Sequence, residues 1–181
     1  MRRPPCWWRH GGNLFFFEVD SGRALRPTGW SQAVKNSDFE FEMERVEHEL
    51  ARSQKGIQSA STHLWEAFEQ WPDFVTNHFS KVATIVVDQA SQDISGTVLG
   101  KGFNLELEAV AGAGTGHVEV ILWVPTIHSN EKVELGRFLM SPHGDVLTAQ
   151  NEQLLAWQDE YVSYKLLASI LRKVAANPAS L

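Results

Sequence analysis

At 181 residues with a single cysteine, Cys6, the chain is long enough to bury a core and forms no intrachain disulfide, so a reducing, cytoplasmic setting is expected. Apolar residues make up 43% and charged residues 21%, a balance that excludes an intrinsically disordered chain; the formal net charge is −6. Residues 1–35 carry six basic and two acidic side chains, net +4, leaving a body with 10 basic against 20 acidic, net −10. An acidic body repels phosphates, so no nucleic-acid partner is expected, and no apolar run approaches the roughly 18 residues of a membrane span, so no membrane association is expected either.

Residues 1–36 read as an irregular, basic, aromatic arm containing Pro4, Pro5, Trp7, Trp8 and Trp30. Within it, 13–20 (Leu14, Phe15, Phe16, Phe17 and Val19 before Asp20-Ser21-Gly22) has the look of a short strand. The sequence is equally compatible with translation from Met43. From 37 onward a single α+β domain is predicted.

Ser37-Asp38-Phe39-Glu40 has capping-box spacing, and Phe39, Met43, Val46 and Leu50 form one apolar stripe, predicting a helix over Asp38–Ser53. Gly56 stands as an interruption. A second stripe (Ile57, Ala60, Leu64, Phe68, Trp71) predicts a second helix, stopped by Pro72. The dense aromatics Trp65, Phe68, Trp71, Phe74 and Phe79 suit a corner that closes the core.

The periodicity then falls to two. Val82–Gln89 is apolar on both faces and reads as a central strand. Ile94–Leu99, Phe103–Ala109, His117–Val124 and Lys132–Met140 follow, with a short sixth strand over Val146–Thr148. The connections are short, which requires antiparallel neighbours and gives a meander of five to six strands. Asn151–Ala176 carries two adjoining stripes, Leu154/Trp157/Tyr161/Tyr164/Ala168/Leu171/Ala175 and Leu155/Val162/Leu166/Ile170/Val174. They predict one long closing helix of about 39 Å packed on the sheet, ended by Asn177-Pro178.

No motif carries recognisable chemistry. Gly112-Ala113-Gly114-Thr115-Gly116 lacks the Lys-Ser/Thr ending of a phosphate loop and leads into a strand, so it reads as a hairpin loop. Meander topology sends the turns at 91–93, 112–116 and 141–144 to one end of the sheet, which would gather Asp93, His117, His143 and Asp145 for acid–base or metal work. Turn positions favour such polar residues for backbone bonding in any case. No cofactor, no metal ion and no catalytic residue is expected. Glu42, Glu44, Glu47 and Glu49 read as a solvated helix face. Aromatic apolar surface is plentiful whereas convergent polar residues are absent, so binding is favoured over catalysis. The leading expectation is a module that binds another protein, as a homodimer or with a different partner. The alternatives are a binder of a small hydrophobic ligand, in a sheet–helix cleft lined by Phe68, Trp71, Trp123, Trp157 and Tyr161, and an enzyme using the His117/His143 end.

Overall fold

Apolar residues at spacings of three and four carry one uninterrupted helix, α1 (Met43–Glu69, 27 residues), straight through Gly56 in the computed structural model. The structure describes residues 42–112, 114–126 and 132–177, all within the unit Phe41–Leu181. The arm 1–36, its expected strand 13–20 and the capping box at Ser37 lie outside them. Two N-terminal helices were expected, with a single helix bent at Gly56 as the alternative, and a close approach of backbones explains the single one. A methyl carbon added at Gly56 would lie 2.9 Å from both the nitrogen and the oxygen of Gly116. Glycine here serves contact with the sheet and does not break the helix. Ser53, one turn earlier, donates its hydroxyl to the Thr115 carbonyl at 3.2 Å.

Ala60, Leu64 and Phe68 of the second predicted stripe are fully buried on α1, as is Trp71 just beyond it. Of the described residues of the first stripe, Met43 is 72% exposed and Leu50 61%, and Val46 is half-buried. After Gln70 the chain restarts as a short helix, α2 (Trp71–Phe74), and continues in a π-helical turn, Val75–Phe79. Pro72 was expected as a stop. It instead occupies the first turn of α2, where a missing N–H leaves no bond unmade.

Seven strands follow: β1 (Ala83–Asp88), β2 (Asp93–Val98), β3 (Lys101–Gly112), β4 (Thr115–Pro125), β5 (Lys132–Met140), β6 (Val146–Leu147) and β7 (Gln153–Leu155). Their order in the sheet is their order in the chain, and every pair is antiparallel. The meander is therefore as predicted, with seven strands in place of five to six. β1 is an edge strand and not a central one. Its apolar outward residue Val86 is exposed, and only Ala83, Ile85 and Val87 face the core. Leu99 and Gly100 alone join β2 to β3, with φ of 50° and 79°, the two-residue turn whose twist suits a hairpin.

The closing helix is shorter than predicted: α3 (Val162–Ala176) has 15 residues, about 22 Å. Residues 151–161 had helical periodicity, but two local features take them away. Gln153–Leu155 pairs with β6, and Tyr161 adopts a left-handed conformation (φ 62°) that no helix continues through. Lys101 at the start of β3 donates from Nζ to the carbonyls of Ala175 (2.9 Å) and Asn177 (2.7 Å), placing a cation on the negative end of α3.

The core lies between one face of the curled sheet and the helices. Ile94, Val98, Phe103, Leu105, Val118, Val120, Leu122, Val124, Met140 and Val146 meet Leu64, Phe68, Trp71, Leu166, Leu167, Ile170, Leu171 and Val174. Two buried hydrogen bonds tie the helices together. The Trp71 indole donates to the Ser163 carbonyl at 3.2 Å, and the Ser163 hydroxyl donates to the Ala67 carbonyl at 2.7 Å. No helix among the described residues is long and apolar enough to cross a membrane.

Candidate functional site

The sheet and α3 do not close against each other everywhere. Between them, toward β7, lies a cavity of about 320 Å³. Its floor is Leu122, Phe138 and Val146; Leu166 and Ile170 of α3 form the opposite wall, and Leu154 and Leu155 of β7 the side. Short β6 and β7 continue the sheet here with two and three residues. Lys173, Ser169 and the Gly136–Arg137 stretch of β5 complete the lining and supply its polar groups. Ser169 donates its hydroxyl to the Lys165 carbonyl one turn back, which leaves its oxygen lone pairs as acceptors.

β5 carries a bulge beside this cavity. Leu122 pairs with Gly136 while Trp123 pairs with Glu134, so Leu135 is the extra residue. One added residue changes which side chains share a face. Glu134 and Arg137, three apart, both reach the face turned away from the helices. The Arg137 guanidinium donates to Glu134 at 2.8 and 2.5 Å, and to both oxygens of Glu119 on β4 at 3.2 Å. This bidentate grip holds the Glu134 carboxyl below the usual carboxylate range, against the opposing effect of burial; the charges of Arg137 and Lys173 add to it. The paired carboxylates push Arg137 further up.

The five aromatic residues expected to line one cleft are distributed over four places. Phe68 and Trp71 are fully buried in the core, ring centroids 4.5 Å apart. Trp123 sits on the face of β4 away from the helices, and its indole N–H is buried without a partner among the described residues. Trp157 lies over Gly144, where an added methyl carbon would come within 2.7 Å of the indole, and its ring is 4.8 Å from His63. Tyr161 is 67% exposed and borders a second concavity of about 450 Å³ with Phe74, His78, Tyr164 and Lys165. That concavity is larger, but three of its five residues, His78, Tyr161 and Lys165, are exposed, whereas the cleft under α3 takes Leu122, Val146, Leu166 and Ile170 from the core and has an exposed rim of Leu154, Ser169 and Lys173.

His117 is half-buried on β4 and His143 is exposed in the turn after β5. Burial pulls the His117 imidazole below its ordinary value. The Asp145 carboxylate accepts the backbone N–H of Trp157 at 2.9 Å. The Ser141 hydroxyl accepts the N–H groups of His143 (3.2 Å) and Asp145 (3.0 Å), which makes it a turn-forming group. Among the described residues no group of three or more His, Cys, Asp or Glu is arranged to hold a metal ion.

The cleft residues missed from the sequence are aliphatic apart from Phe138. Leu155, Leu166 and Ile170 belonged to the second stripe of the predicted closing helix, and that stripe was the available signal. Lys173 had no signal, because its position depends on the strand beneath it. Compared with protein-family models, with curated proteins and with solved structures, the chain matches none.

Proposed function

We propose that the chain binds a small hydrophobic molecule in the cleft between α3 and the β4–β7 part of the sheet. The supporting observation is the cavity of about 320 Å³ walled by Leu122, Phe138, Val146, Leu155, Leu166 and Ile170. Ligand pockets begin at about 300 Å³ and are mostly apolar with a few polar groups, and this cleft matches that description. At about 30 Å³ per non-hydrogen atom, the space takes a ligand of on the order of ten such atoms. Calorimetric titration of the full chain with 1-octanol tests the reading. Saturable binding that is lost in Leu154→Trp, where an indole covers the rim, is the expected result. Absence of binding, or binding that Leu154→Trp leaves unchanged, overturns it.

A second reading, a surface for another protein or a second copy of the chain, is favoured by a separate feature. Met43 and Leu50 are exposed on one face of the first turns of α1, with Val46 between them. Exposed apolar side chains grouped in this way are a usual mark of association. Light scattering of the full chain should show a dimer that Leu50→Asp converts to monomer; a monomer in both cases removes the homodimer.

A further inference from the structure

We infer that the molecule held in the cleft is an anionic amphiphile, a medium-chain carboxylate whose head group is bound by Lys173; this rests on the cleft being the ligand site. The apolar walls would take the alkyl chain. The position of the Lys173 ammonium points to the head group.

Lys173 stands on the last turns of α3 at the cleft lining. Its side chain runs across β5 directly above Gly136, so closely that a methyl carbon added at Gly136 would collide with Nζ and lie 3.1 Å from Cε. Lys173 is itself exposed, with its aliphatic stem laid along the strand, and the absence of a side chain at 136 leaves room for it there. Among the described residues, the ammonium makes no hydrogen bond and no ion pair. Glu134 and Lys173 act on each other by charge alone, and both Glu134 oxygens accept from the Arg137 guanidinium. Arg137 itself is committed to Glu134 and Glu119. The cleft rim therefore has one exposed cation without a hydrogen-bond partner among the described residues, beside an apolar cavity.

Charge selects among ligands of this size. A neutral alcohol would fill the walls equally well but would gain only an ordinary hydrogen bond at the mouth. An alkylammonium would meet Lys173 as a like charge. A carboxylate would gain a charge-assisted bond, roughly twice as strong as a neutral one. The space for on the order of ten non-hydrogen atoms matches octanoate, which has eight carbons and two oxygens.

The experiment is calorimetric titration of the full chain with octanoate, 1-octanol and octylammonium, below their micellar concentrations and at low ionic strength. Octanoate is expected to bind about tenfold tighter than 1-octanol, and octylammonium most weakly. Lys173→Gln should bring octanoate down to the affinity that 1-octanol has for the same variant, the ratio of the two affinities being the readout. Gly136→Ala keeps the charge but forces the ammonium off the strand, and should cut the octanoate preference while 1-octanol binding persists. Equal binding of octanoate and 1-octanol by the unaltered chain overturns the head-group assignment while the cleft stands. So does a preference that survives Lys173→Gln. If none of the three compounds binds, the cleft reading itself fails and takes this inference with it.

Discussion

Gly56 of α1 and Gly116 of β4 meet backbone to backbone, and neither has room for a methyl group. At Gly116 an added carbon would collide with the Ser53 carbonyl and lie 2.8 Å from the Ile57 nitrogen. Main-chain atoms cannot swing aside, so Gly116→Ala is expected to destabilise by about 3 kcal/mol. Gly56→Ala is the sharper test. In an ordinary helix interior it would stabilise by about 1 kcal/mol, and here the contact reverses the sign. Gly112→Ala, which meets nothing within 4 Å, should change stability by less than about 0.5 kcal/mol. Urea denaturation of the three variants measures all of this.

Leu99 is an apolar residue held in a left-handed conformation (φ 50°) and 63% exposed, so it pays a backbone cost with little burial in return. The left-handed region costs most residues about 1–2 kcal/mol and asparagine much less. Leu99→Asn creates the Asn-Gly pair that two-residue hairpins favour. A rise of about 1 kcal/mol in unfolding free energy is expected, and a loss would mean that Leu99 is held by contacts of its own.

Ser163 joins α3 to α1 through its hydroxyl and receives the Trp71 indole on its carbonyl. Ser163→Ala removes only the first of these. With Ser163 buried, the loss is expected at about 1–2 kcal/mol, and Ser163→Thr, which keeps the hydroxyl, should recover part of it unless the extra methyl is too large. Thermal unfolding followed by tryptophan fluorescence gives the comparison.

Two groups make stability depend on pH in the same direction. Glu134 has its folded pKa depressed, first by the Arg137 hydrogen bond. Its stabilisation is present above the unfolded carboxylate value of about 4.3 and is lost as pH falls through the lower folded value. His117 is depressed by burial from the ordinary 6.5. Below about 6.5 the unfolded chain takes up a proton that the folded chain resists, so stability falls as pH is lowered there too. His117→Gln should flatten the fall just below pH 6.5, and Glu134→Gln the fall below about pH 4.3. Stability against pH, measured for both variants, separates the two windows.

Much of the fold was legible because it rests on local periodicity. Phe103, Leu105 and Leu107 alternate with polar residues on a half-buried strand, and Leu64, Phe68 and Trp71 hold a helical stripe that is buried as expected. Two kinds of feature were hidden. Gly56 reads as a break because its partner is 60 residues away, and only the docked structure shows what the missing side chain is for. Residues 153–155 repeat the helical period of Val162–Ala176 by coincidence, and the pairing with β6 prevails. The lining of the space under α3 was not legible as a set of residues. Large aromatic residues attract attention by size, yet Phe68, Trp71 and Trp157 are used in packing, and the space is bordered by leucines, an isoleucine, a valine and Phe138. Lys173 has meaning only above Gly136, a relation across two elements that no local pattern encodes.

Strand order that follows chain order has a kinetic consequence. Each strand finds its partner across a short connection, so the hairpins can close on a microsecond scale, with little loop entropy to overcome. The Ser53–Thr115 bond spans 62 residues and completes the seat of α1 on β4. The slow event in folding is then the arrival of a long helix on a sheet already formed. The meander should become protected from hydrogen exchange before α1 does.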